Sequence, residues 1–214
     1  MSLLNFLSER RSDMVHLGLQ HLALVGVSAL ICTVVGVGLG VATYRTERPR
    51  EIVLAVTGAF LTVPSLALFV LLIGPFGIGE KPVVVALALY GLLPIVRNTV
   101  TGLRQVDPAI VESAQGMGMS RRQLLLRIEL PIAWPVIVAG IRVATLMLVG
   151  IAAIGAIVSG PGYGRMIFDG LALVGSPVAT NLVLAGSLGV IAVAIVLDAS
   201  LALFTRLTTS TGLR

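Results

Sequence analysis

The amino-acid sequence predicts an all-α polytopic membrane protein, a single domain over 1–214 with five transmembrane helices and a short N-terminal interfacial helix. Three observations lead there. Of the 214 residues, 57% are hydrophobic and only 12% charged, whereas a soluble domain carries about a quarter charged residues to cover its surface. Mean hydropathy is +1.03. Several uncharged runs also reach the roughly 20 residues that a helix needs to cross the hydrocarbon core. Only in lipid does such an exterior carry no penalty.

The elements follow in order. Before residue 22, Leu3, Leu4, Phe6 and Leu7 are apolar and 9–13 polar, the pattern of an interfacial helix. The run 22–44 has no charge and is the first span. It exceeds a signal-peptide core, and no cleavage pattern follows it. The second span, 52–73, lies in the uncharged stretch 52–79, which is too short for two crossings. The third is 82–103, the fourth 132–158 carrying Arg142, and the fifth 178–204 carrying Asp198. Gly26, Gly36, Gly38, Gly40, Gly186 and Gly189 let helix backbones approach closely.

Five spans put the termini on opposite faces. Arg45, Arg48, Arg50, Arg97, Arg104, Arg121, Arg122, Arg127, Arg206 and Arg214 fall on one side; Arg10, Arg11, Lys81 and Arg165 fall on the other. Basic residues gather in cytoplasmic loops, so the N-terminus is expected outside and the C-terminus in the cytoplasm. The formal net charge of +5 is therefore topological, and nucleic acid is not expected as a partner.

Other chemistries are thinly represented. Cys32 is the lone cysteine, read as a small buried hydrophobe, and with His16 and His21 it assembles no metal-ligand set. No ring of carboxylates or proton relay lies at mid-membrane, as a secondary carrier would show. A phosphate loop needs G-x-x-x-x-G-K-[ST]; its nearest lookalike, from Gly74 to Lys81, has Glu80 where the lysine belongs. Arg142 lies about 13 Å into its span by helical rise. Asp198 is at similar depth, and each is expected to find the other or to line a polar pathway.

The segment 104–131 is the most informative. Asp107-Pro108 reads as an N-cap with proline in the first turn of a helix running through Ala114 and interrupted at 116–118. Ser120 and Gln123 make a capping box for a second helix, stopped by Pro131. A plain solvated hairpin and a DNA-reading helix-turn-helix share this pattern, but a hairpin pinned between spans cannot present a DNA-binding domain.

Within it, Glu112-Ser113-Ala114, Gly118, Ile128 and Leu130-Pro131 have the spacing E-x-A-x-x-x-G-x₉-I-x-L-P. This resembles the EAA motif of binding-protein-dependent ABC importer permeases, with Ser113 where Ala is commonest. Leu92-Leu93-Pro94-Ile95-Val96-Arg97-Asn98-Thr99, Gly116-Met117-Gly118-Met119 and Ala139-Gly140-Ile141-Arg142 are similar to the branch importing quaternary-amine osmoprotectants such as glycine betaine, carnitine or choline. The likeness covers roughly 17–206. One departure is Gly160-Pro161-Gly162-Tyr163-Gly164, where the branch usually reads Gly-Ala-Gly-Gly-Leu-Gly.

The resemblance implies a MetI-like type I ABC permease architecture in a bacterial inner membrane. It implies that Glu112, Ser113, Ala114, Gly118, Ile128, Leu130 and Pro131 couple to a separate ABC ATPase. Gly118 is expected to let that partner approach, with Ile128 and Leu130 packing inward. The other implied partners are a second permease (a further copy or a sister chain) and an extracytoplasmic substrate-binding protein facing Gly160, Gly162, Tyr163, Gly164 and Arg165. The chain itself would hold no cofactor and no active site, ATP and Mg²⁺ residing on the ATPase. Trp134 reads as a belt anchor and Tyr90 alone cannot make an aromatic cage, so tight cargo recognition is expected on the binding protein. An amino acid, methionine or sulfonate is the alternative cargo.

Overall fold

The computed structural model describes residues 3–208; Arg214 of the charge tally and the C-terminus itself lie outside them. The regular elements among the described residues are all helices, without strands. Helix α1 is Leu3–Glu9, with Phe6 buried, and α2 is Arg11–Thr43. The helix that carries the first expected span thus starts eleven residues before the uncharged run. Residues 11–13, expected in the interfacial helix, form the first turn of α2 instead, because nothing between them and Leu22 breaks a helix. At 33 residues, α2 is about 50 Å long by helical rise.

The stretch expected as the second span is not one straight helix. Helices α3, Glu47–Thr62, and α4, Ser65–Phe76, meet at a bend of 102°. Val63 is held extended by the following proline, at φ −73° and ψ 129°. Its freed carbonyl accepts the Tyr90 hydroxyl at 2.8 Å. Tyr90 stands ten residues, about 15 Å, along the third span, so the break lies deep within the bundle.

That third span is α5, Glu80–Arg104, and it is the centre of the packing. Gly36 and Gly40 of α2 leave room for Ile95 and Thr99, and Cys32 fills the notch at Gly91. On the other flank the backbones of Gly102 and Gly140 meet α8 and α5 side chains respectively. Leu24, Val25, Phe69, Leu87, Ile95, Ile137 and Leu148 are fully enclosed by these contacts.

After α5 come α6, Pro108–Gly116, and α7, Arg121–Leu124. The chain does not stop at Pro131. A π turn over Leu125–Glu129 runs directly into α8, Leu130–Ile154. Proline lacks the N–H that an unbroken α-helix needs there. The wider turn, in which Leu130 N–H reaches Leu125 O, carries the helix past that gap. A 3₁₀ turn, Gly155–Val158, ends the span. Helix α9, Gly164–Ala172, precedes α10, Ala179–Thr208. Among the described residues four helices are long and apolar enough to cross a membrane, or five if α3 and α4 together make one span.

Candidate functional site

The elbow between α5 and α8 is built by local sequence. Asp107 Oδ1 accepts the Ala109 amide at 2.8 Å and Pro108 occupies the first turn of α6. Gly118 ends that helix at φ +82°, a conformation that favours glycine. Ser120 and Gln123 then cap α7 reciprocally, the Ser120 amide donating to Gln123 Oε1 at 2.9 Å and the Gln123 amide to Ser120 Oγ at 3.3 Å.

Of the motif residues, Ala114 is buried and anchors α6. Glu112 and Ser113 are exposed, and the Ser113 hydroxyl donates to the Ala109 carbonyl at 2.7 Å. A side chain added at Gly118 would meet open space, so its glycine is required by conformation rather than by crowding within the chain. Ile128 and Leu130 are half-buried. Leu130 packs on the cluster of Tyr44, Val96, Val100, Leu103, Ala133 and Ile137. Pro131 is exposed at the start of α8. Ile110 is 44% and Met117 72% exposed, which gives the elbow an apolar tip. Their signal in the sequence was only an apolar residue in an otherwise polar segment.

At the opposite end, the segment after α8 packs against the bundle. Gly160, Gly162, Tyr163 and Gly164 are buried, leaving only Arg165 of the five predicted residues exposed. The Tyr163 hydroxyl donates to the Met14 carbonyl at 2.7 Å, its ring lies in the notch at Gly189, and Gly162 sits over His21. Burial pushes the Tyr163 phenol above its ordinary range, so it remains a donor. The glycines are there because α2, α8 and α10 crowd this backbone: a Cβ at Gly164 would collide with the Ala153 carbonyl. Exposed Arg10, Asp13, His16, Arg165 and Asp169 surround a pocket of about 290 Å³ at this end.

Arg142 and Asp198 meet. Nε and one terminal nitrogen of the guanidinium donate to Asp198 Oδ1 and Oδ2 at 2.5 and 2.7 Å, a two-point pairing that fixes both side chains. The pair is on the surface of the single chain, at 45% and 34% exposure. Trp134 Nε1 donates to the Thr208 hydroxyl at 2.9 Å, tying α8 to the end of α10.

The comparisons agree with this geometry. Residues 33–210 match the family described as binding-protein-dependent transport system inner membrane component. The chain is 39% identical over 205 residues to the osmoprotectant import permease protein OsmY of Salmonella typhimurium (strain LT2), covering 95% of this chain and 85% of the relative. It is 34% identical over 212 residues to the choline transport system permease protein OpuBB of Bacillus subtilis (strain 168), covering 99% and 96%. A structure of the inward-facing MetNI methionine ABC transporter superposes with a TM-score of 0.81 at 21% identity, over 92% of this chain and 96% of that one, a likeness of fold. The chain therefore belongs to the family of inner membrane components of binding-protein-dependent transport systems.

Proposed function

We propose that the chain is the transmembrane permease subunit of an ATP-driven importer of quaternary-amine osmoprotectants, with glycine betaine, carnitine and choline as the candidate cargoes. The observation that carries this reading is the elbow. It bears the residues Glu112, Ser113, Ala114, Gly118, Ile128, Leu130 and Pro131 at the motif's spacing, with an exposed helix and an apolar tip on a base buried in the bundle. An exposed helix on a fixed base can transmit a push from another subunit. The osmoprotectant and choline permeases among the relatives support the cargo class.

In this reading the end of the bundle carrying α6 and α7 faces the cytoplasm and meets the ATPase, which binds ATP and Mg²⁺ and hydrolyses the nucleotide. The N-terminus and the segment around Arg165 face outward, toward the substrate-binding protein. The surface pair Arg142–Asp198 supports a second permease against this face. Two partly exposed charges at that depth are costly against lipid, and a shared polar pathway accommodates them. The cargo crosses there, and ATP binding closes the ATPases and drives the elbows together.

The test is uptake of radiolabelled glycine betaine, carnitine or choline into proteoliposomes holding the permease and ATPase, with the binding protein outside. Uptake is expected only with ATP and all components present. Uptake by the permease alone, without nucleotide, would end the proposal.

A further inference from the structure

Glu129 occupies an unspecified position of the motif, between Ile128 and Leu130. Among the Asp, Glu, Lys and Arg side chains of the described residues it alone is buried, at 5% exposure. Its Oε2 accepts the Tyr44 hydroxyl at 2.7 Å and a terminal nitrogen of Arg45 at 2.8 Å. Both donors stand at the end of α2, 85 and 84 residues earlier in the chain. Tyr44 is itself buried, and the Arg45 guanidinium lies 5.0 Å from its ring centroid. A carboxylate is costly to bury and persists where its partners satisfy it, so this contact adds a charged tie to the apolar packing between the end of the first span and the foot of the elbow.

The backbone supports the same junction. Glu129 closes the π turn Leu125–Glu129, a widened turn that is rare and frequent at functional positions. An extra residue in a turn rotates everything before it relative to α8, so the turn sets the direction in which α6 and α7 project. A cleft of about 400 Å³, bordered by Tyr44, Arg45, Arg104, Glu112 and Glu129, separates the junction from α6. Because α6 buries only Ala114, the elbow meets the spans chiefly at its two ends, the link from α5 with buried Val106 and the foot at Glu129.

We propose that Tyr44, Arg45 and Glu129 form a latch that makes α2, α8 and the elbow move as one body, with Glu129 a positioning residue for coupling. The proposal rests on the importer reading above. It adds that the elbow drives the first span directly, and not α8 alone.

The experiment measures cargo imported per ATP hydrolysed in proteoliposomes of the whole importer. Glu129→Gln is expected to assemble and retain basal ATPase activity, while the cargo-to-ATP ratio falls about five-fold or more, the usual size of a coupling between sites. Arg45→Gln lowers the ratio, Arg45→Lys restores it, and Glu129→Gln combined with Arg45→Gln is no worse than Glu129→Gln alone. An unchanged ratio in Glu129→Gln overturns the latch. So does failure of Glu129→Gln to assemble while Tyr44→Phe and Arg45→Gln couple like the wild type, since Glu129 is then only a folding anchor. A wild-type importer that shows no ATP-dependent uptake refutes the importer reading instead, so the two failures are distinct.

Discussion

Helices α6 and α9 are each nine residues long and each sits between long spans, yet α6 buries Ala114 alone while α9 buries Gly164, Met166 and Gly170. Glycines act oppositely in the two. Gly118 beyond α6 has open space around it, whereas Gly164 and Gly170 of α9 lie against Ala153 of α8 and Ala179, Leu182 and Val183 of α10, and Gly186 and Gly189 of α10 take in Tyr163 and Ile167. Packing against notches of that kind welds a segment to its span, and a segment without them can be gripped by something outside the chain. One end of the molecule is a closed seam and the other is a handle.

That contrast can be broken or sharpened by substitution. The largest effect is expected at the seam: Gly164→Val drives a side chain into the Ala153 carbonyl and should yield no folded protein by size-exclusion chromatography. Next comes the mid-span pair, which belongs to neither end. Arg142→Asp should reduce ATP-dependent uptake to background, and adding Asp198→Arg should recover a substantial part, because the two-point contact is re-formed with reversed polarity. Gly118→Asp forces an L side chain to φ +82°, a cost of roughly 1–2 kcal/mol. The protein should fold and melt slightly lower, yet lose co-purification with the ATPase; unaltered co-purification and transport would remove the handle from the elbow. At the seam again, Tyr163→Phe deletes one hydrogen bond to Met14 and should lower stability by about 1 kcal/mol in a thermal melt. Smallest is Ser113→Ala, which removes a bond only to the helix's own carbonyl and should shift stability by less than about 0.5 kcal/mol and leave coupling unchanged.

What the sequence revealed divides along the same lines. Asp107-Pro108 and Ser120 with Gln123 were legible because a cap is a contract among residues a few positions apart. Arg142 and Asp198 were legible because charge inside a span demands a partner. Pro131 misled, since a rule about α-helices takes no account of a π turn that passes over the missing N–H. The break at Val63-Pro64 was hidden inside an apolar run whose hydropathy never changes, and its stabilising hydroxyl, Tyr90, comes from another span. Gly186 and Gly189 were read as span-to-span contacts, and instead they receive the Tyr163–Ile167 segment. Nothing near Glu129 in the chain announces Tyr44 and Arg45, because that contact exists only once α2 and α8 have come together.

Cys32 has a practical consequence. The chain's single thiol is sealed against Gly91 with no exposed surface, so maleimide and nitroxide reagents find nothing to modify in the native protein. A cysteine placed at Met117 and another at Arg165 would then be the sole attachment points, and the separation between the two faces could be followed spectroscopically through a turnover without first mutating the background.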